Sequence, residues 1–262
     1  MTLLSIHNIK AVILDMDGVL WKMDTPLCDL QKLFASFKAN QIQVVTATNN
    51  GTSTVDQYLQ KFDKFGVKLD SNQVVTSAMA LGYLIKRHYP NGGPLYIVGE
   101  QALIDTLADY SFYHDESNPQ AVAAGLSRYL SYNMIKDASM RIQGGLPFFF
   151  TNPDPTYPTP EGNFPGAGTM LAALETASGK KAIIAGKPQP YMYNLAMEIT
   201  RTDPGNTMAI GDRLDTDILG GQRASCRTAL VLSGISDKTD LENWNPKPDI
   251  VINNICDIFN NE

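Results

Sequence analysis

The sequence predicts an α/β protein: a doubly wound parallel sheet with a second, inserted α/β domain. Two observations lead to that class. Short apolar runs of strand length alternate with stretches of helical period along the chain, the pattern of βα units covered on both faces. The alternation also starts afresh near Pro94, as a second domain would. With 262 residues, 44% hydrophobic and 18% charged, the chain has apolar side chains enough for one large domain or two modest ones.

The first run, "KAVILD", reads as a buried strand. "PLCDLQKLFASFKAN" follows as a helix with Leu27, Leu30, Phe34 and Phe37 on one face and Pro26 at its start. "IQVVTAT" is the next strand, and "TVDQYLQKFDKFG" a helix stopped by Gly66. "VVTSAMALGYLIKRHYP" reads as a further helix, with Thr76 or Ser77 as its N-cap. In the second series, "PLYIVG", "AVAAG" and "LPFFFTN" are strands, separated by helices "EQALIDTLADY" and "YNMIKDASMRI". The third strand runs into a proline-rich loop, "PDPTYPTPEGNFPG". Helix "GTMLAALETAS", strand "KAIIAG", helix "PYMYNLAMEIT", strand "NTMAIGD", helix "TDILGGQRA" and strand "RTALVLS" come next. "PDIVI" and "NICDIF" are two further short elements. Small, turn-forming residues near 82–93 and 179–181 mark the domain boundaries. The expected division is a discontinuous core of 1–80 and 181–262 around an insertion of 81–180.

A formal net charge of −6 argues against a nucleic-acid backbone as partner. Cys28, Cys226 and Cys256 are scattered and odd in number, and read as buried thiols of a reducing cytoplasm. The start "MTLLSIHNIKAVILDMDG" lacks the pattern of a secretory signal. No segment approaches the roughly 20 apolar residues that span a bilayer. The expectation is a soluble, cytoplasmic protein with neither nucleic acid nor membrane as partner.

Ligands in open parallel sheets sit beyond the carboxyl ends of the strands. Asp15 and Asp17 lie at such an end, as do Thr48, Asn49 and Asn50, then Lys187, then Asp212, Asp215 and Asp217. Each has a bland alternative: a turn aspartate, a helix cap (Asp215 above all) or a solvated lysine. The histidines His7, His88 and His114 share no ligand spacing. It is the combination that carries chemistry. Several acids on one edge call for a divalent cation, and an all-oxygen set without histidine or thiolate selects Mg²⁺. A lysine and a Thr/Asn loop beside that cation suit a bound phosphate. Paired aspartates can then divide phosphoryl transfer, one attacking phosphorus and one handling protons.

"DMDGVL", "TNN", "GKPQP" and "GDRLDTDILGG", in this order, resemble the motifs of the haloacid dehalogenase superfamily. The segment with "TNPDPTYP" and "FPGAGTMLAALETASGKK" is similar to its class IIA branch, the NagD and 4-nitrophenylphosphatase group, which includes phosphoglycolate and pyridoxal phosphate phosphatases. The resemblance spans nearly the whole chain and implies a Rossmann-like core with an α/β cap. It places the nucleophile, and an aspartyl-phosphate intermediate, on Asp15, and the general acid/base on Asp17. Thr48, Asn49 and Asn50 match the phosphate-holding motif, and Lys187 the lysine that offsets charge on nucleophile and phosphate. Mg²⁺ would be held by Asp212, the Asp15 carboxylate and the Asp17 backbone carbonyl, with Asp217 a supporting acid. Tyr157 falls in the specificity loop, either against the leaving group or packed within the loop.

Asp17 favours a phosphoester, because an oxygen leaving group needs a proton. Phosphosugar mutases share this acid, yet the resembling ones carry a small helical cap after the first motif, for which there is little room here. Ser127 stands where many relatives carry an acid, and Ser225 where relatives often use glycine, so the turn there is expected to differ. A receiver-like phosphate-binding module would be about half this length with its motifs in another order. A dinucleotide-binding oxidoreductase would need a GxGxxG after the first strand. The implied substrates are small phosphoesters, and the resemblance admits a homodimer through the cap.

Overall fold

The computed structural model describes residues 8–51, 53–159 and 161–259, and His7 lies outside them. Two compact units emerge, one of Met1–Thr48, Val55–Val75 and Lys187–Glu262, the other of Asn49–Thr54 and Thr76–Gly186.

The first unit is built on a six-stranded sheet in the order Ile250–Ile252, Arg227–Val231, Thr207–Gly211, Ala11–Leu14, Gln43–Thr48, Val74–Thr76. The pairs from Ile250–Ile252 through Gln43–Thr48 run parallel. All four residues of Ala11–Leu14 are buried, as a strand covered on both faces requires. From this central strand the chain first builds outward through Gln43–Thr48, then returns to pair Thr207–Gly211 on the other side. The strand order therefore reverses at Ala11–Leu14, and a crevice opens at the carboxyl ends there.

The helix after the first strand spans Leu30–Ala39 and buries Leu30, Leu33 and Phe37. Its N-cap is Asp29, whose carboxylate accepts the Lys32 N–H at 3.0 Å. Pro26 does not open it. It sits in a two-residue strand, Thr25–Pro26, paired antiparallel with Trp21–Lys22, because a capping carboxylate outweighs a proline that is only tolerated at that end.

The second unit holds a five-stranded parallel sheet in the order Ile183–Ile184, Phe148–Phe150, Val122–Ala124, Gly93–Val98, Phe112–His114. Its core gathers Val98, Val122, Phe148 and Phe150 against Ala138, Ile142, Leu171 and Leu174 of the helices. Four local expectations need correction. Val74–Thr76 is a strand rather than the start of the helix, which spans Ser77–His88 with the expected N-cap at Thr76, whose hydroxyl accepts the Met79 N–H at 3.3 Å. The proline-rich stretch contains an antiparallel hairpin, Thr156–Thr159 with Gly162–Pro165. The helix read in "TDILGGQRA" begins earlier, as a π-helical turn over Leu214–Ile218 that runs into Leu219–Arg223. Ser225 adopts the left-handed turn with φ 60°, so the backbone there keeps the conformation that glycine would favour.

The cysteine reading is also overturned for two of the three. Cys28 and Cys256 form a disulfide with their Cα atoms 6.4 Å apart, and Cys226 is free and buried. The partners lie 228 positions apart, so spacing could not reveal them. Packing does so: the Asn254 side chain donates to the Leu27 carbonyl at 3.1 Å, setting the 3₁₀ turn Ile255–Phe259 beside the entry to the first helix. The argument from free thiols to a reducing compartment falls with this bond. Among the described residues no helix is long and apolar enough to cross a membrane. Closing so long a loop restricts the unfolded chain, so a Cys28→Ala variant should lose about 2–4 kcal/mol of stability. Denaturation midpoints with and without reductant check this; equal midpoints for variant and oxidised wild type would contradict it.

Candidate active site

The site begins where the central strand ends. The Asp15 N–H donates to the Ile210 carbonyl at 2.9 Å, extending the sheet ladder by one residue and fixing where this carboxylate starts. Lys187 reaches the same point from the far side of the insertion. Its Nζ donates to Asp15 Oδ1 at 2.5 Å, to Asp217 Oδ1 at 2.7 Å and to the Ala47 carbonyl at 3.0 Å. The lysine is 3% exposed. Asp217 comes from the π-helical turn, a geometry that often marks functional sites. Its Oδ2 accepts the Arg213 N–H at 3.1 Å, and its carbonyl accepts the Tyr193 hydroxyl at 2.9 Å. Asp212 directly follows Thr207–Gly211, and its Oδ2 accepts the Ile235 N–H at 2.8 Å. One ligand oxygen each from Asp15, Asp212 and Asp217 falls within 4.8 Å of the others.

Three carboxylates and one ammonium in a buried cluster leave a formal excess of two negative charges (three minus one). Burial raises the Asp15 carboxyl well above the ordinary range; Lys187 opposes this, while Asp217 and Asp212 add to it. Burial alone would lower the Lys187 ammonium, but Asp15 and Asp217 outweigh it and hold the lysine charged. Asp212 is pushed up to about 6, first by burial and then by Asp217, against the Ile235 N–H. A divalent cation would supply the two charges that are lacking. The donors are all hard oxygens, as Mg²⁺ requires, so the residues fit the ion expected from the sequence.

Asp17 lies on the same rim and keeps an exposed face, although dense surroundings raise its carboxyl against Lys61 and the Trp21 indole. Thr48 is buried as the last residue of its strand. Asn49 and Asn50 follow it in the chain and group with the second unit, where the Asn49 carbonyl accepts from the Ser77 hydroxyl at 2.7 Å and the Asn152 amide at 2.8 Å. Tyr157 belongs to the hairpin of that unit, its ring edge-on to Phe164 at 6.1 Å. Asp215 turns outward and pairs with the Arg213 guanidinium at 3.0 and 3.1 Å. The histidines inside the described residues are structural: His88 packs on Phe149, and His114 Nδ1 accepts the Ile97 N–H.

Two glycines and a serine also shape the site, and none of them carries a motif of its own. A Cβ on Gly18, whose φ is 87°, or on Gly234 would fall onto the Asp212 carboxylate, so both glycines make room for it. Ser236 Oγ accepts the Leu214 N–H at 3.0 Å, tying the loop after Arg227–Val231 to the π-helical turn. The available signal was positional: "SGIS" follows a buried strand at the same sheet edge as the aspartates.

Comparison with known proteins agrees with this geometry. A haloacid dehalogenase-like hydrolase model matches residues 12–113, and a HAD-hydrolase-like model matches 184–258. The chain is 33% identical to the dihydroxyacetone phosphatase of Corynebacterium glutamicum, over 93% of this chain and 88% of that protein. It is 32% identical to the ribonucleotide monophosphatase NagD of Escherichia coli, over 96% and 98%. Among solved structures, a glycerol phosphate phosphatase from Mycobacterium tuberculosis in complex with magnesium superposes with a TM-score of 0.88 at 29% identity, covering 97% of this chain and 78% of that one. The chain belongs to the haloacid dehalogenase superfamily, in its class IIA branch of NagD-like phosphatases. It is a phosphatase.

The raised Asp212 carboxyl has a consequence in metal-free protein. The folded state holds its proton up to about pH 6, the unfolded chain only to about 4, so stability falls as pH rises through that window. An Asp212→Asn variant does not titrate there. In chelator its stability should gain on wild type, by on the order of 1 kcal/mol between about pH 5 and pH 7. Urea midpoints at the two pH values measure it, and a constant or opposite difference would contradict the raised carboxyl.

Proposed function

We propose that the chain is a Mg²⁺-dependent phosphomonoester hydrolase that works on small phosphorylated metabolites through an aspartyl-phosphate on Asp15. The observation that carries this reading is the buried Lys187 ammonium held between Asp15 and Asp217 beside Asp212. The relatives named above are by name a dihydroxyacetone phosphatase, a ribonucleotide monophosphatase and a glycerol phosphate phosphatase, the last solved with magnesium. Differing substrates on one fold support a common phosphoester chemistry with variable selectivity.

In this reading Asp15, Asp212 and the Asp17 carbonyl would hold the cation, with Asp217 in support. When bound, the cation offsets the excess negative charge of the carboxylates and of the phosphate. Asp217 already spends one oxygen on Lys187 and the other on the Arg213 N–H, which makes Asp212 the stronger ligand of the two. Lys187 steadies the Asp15 carboxylate and the phosphate as charge moves. Thr48, Asn49 and Asn50 hold the phosphate oxygens. An Asp15 oxygen attacks phosphorus while Asp17 gives its proton to the departing ester oxygen. Asp17 then takes a proton from water as that water attacks phosphorus, releasing phosphate and restoring Asp15.

Release of phosphate from 4-nitrophenyl phosphate, with and without Mg²⁺, tests the reading directly. Asp15→Asn should lower kcat by about 10³-fold or more, ~4 kcal/mol of barrier, with unchanged circular dichroism. Undiminished turnover in that variant would overturn the assignment. Tyr157 is assigned to substrate selection. Tyr157→Ala should shift preference within a panel of phosphoesters more than it slows 4-nitrophenyl phosphate. A uniform fall across the panel removes the selective role.

A further inference from the structure

Asp17 has a partner that comes from its own turn. The Trp21 indole N–H donates to Asp17 Oδ1 at 2.9 Å. An indole has one N–H and no acceptor, so this bond uses all of its hydrogen-bonding capacity. Trp21 is completely buried. Its ring meets Phe62 edge-on at 4.9 Å and lies 5.7 Å from Phe65. The Lys61 ammonium sits 4.5 Å from the ring centroid, while donating to the Met23 carbonyl at 2.6 Å. The backbone between donor and acceptor is closed as well. The Gly18 N–H donates to the Trp21 carbonyl at 2.7 Å, and the Leu20 N–H to the Met16 carbonyl at 2.8 Å. The indole is therefore fixed by packing and the carboxylate by the indole.

We infer that Trp21 is a positioning residue for Asp17, its indole N–H engaging Oδ1 so that Oδ2 is presented to the substrate's ester oxygen. This rests on the phosphatase reading above, with Asp17 as proton donor. A carboxylate at an exposed rim has several rotamers of similar energy. A proton must be handed over at hydrogen-bond distance. A donor on one oxygen removes rotational freedom without occupying the oxygen that does the work. A Trp that merely satisfied its own N–H could use any carbonyl; here it uses the side chain whose direction matters.

The leaving group separates positioning from simple packing. 4-Nitrophenolate departs readily without a proton, whereas an alkoxide needs one, so a misaligned Asp17 harms alkyl phosphates most. Trp21→Phe keeps an aromatic ring and loses the donor. Its kcat/KM should fall at least tenfold more on a simple alkyl phosphate than on 4-nitrophenyl phosphate. Asp17→Asn should show the same bias, larger, and the double variant should add nothing on the alkyl substrate. An equal fall on both substrates in Trp21→Phe overturns the positioning role. Absence of the bias in Asp17→Asn instead removes Asp17 as proton donor, and the inference with it. A second measurement serves if Trp21→Phe fails to fold. The chain has two tryptophans, so ¹⁵N spectra give two indole N–H signals, assigned through Trp244→Phe. In Asp17→Ala the Trp21 signal should shift and exchange faster with solvent, and an unmoved signal overturns the proposal.

Discussion

A single buried ammonium organises the catalytic unit. Lys187 bonds carboxylates from two different stretches of chain and the carbonyl of a third. Ordinary ion pairs at a surface contribute little. This one is enclosed, and removing the lysine would strand two buried carboxylates beside a third, a change that typically costs 3–5 kcal/mol. The cluster therefore has to be held together by structure around it. The sheet ladder fixes Asp15, the π-helical turn fixes Asp217, and the glycines at 18 and 234 leave space for Asp212.

The same arrangement explains why the site sits where it does. A parallel sheet offers a crevice only where its strand order reverses, and here that place is the end of the first strand. Asp15 and Asp212 follow neighbouring strands of that sheet, whereas Asp217 comes from the π-helical turn and Lys187 reaches Asp15 with a long side chain. Charge is left unbalanced by design of the residue set, with all-oxygen donors and one cation. A divalent ion would offset that imbalance.

Much of this was legible before the fold was known. Buried strands such as "AVIL" and "TMAIG" stand out because both faces are covered, and the polar residues that end them then line one edge. Residues that act through shape or long-range packing were not legible. Val74–Thr76 is too short to show a strand period of its own, so only the N-cap signal of Thr76 and Ser77 separates it from the following helix. Cys28 and Cys256 pair only because the chain's two distant segments pack together. Gly234 and Trp21 look ordinary in one dimension, since neither carries charge and each gains meaning only from the carboxylate beside it. Asp215 shows the converse: an acid within a recognisable motif that ends in a surface pair with Arg213.

Asp15 and its counter-ion are 172 positions apart, with the whole insertion between them. A ribosome therefore delivers the acid long before the base. Until Lys187 emerges, the central strand lacks both its countercharge and the strands on one of its sides, Thr207–Gly211 and beyond, so Asp15 is better left hydrated than enclosed. The inserted unit, contiguous except for Asn49–Thr54, is complete by then. Birth order thus favours an accessory body that matures first and a reaction centre that closes last.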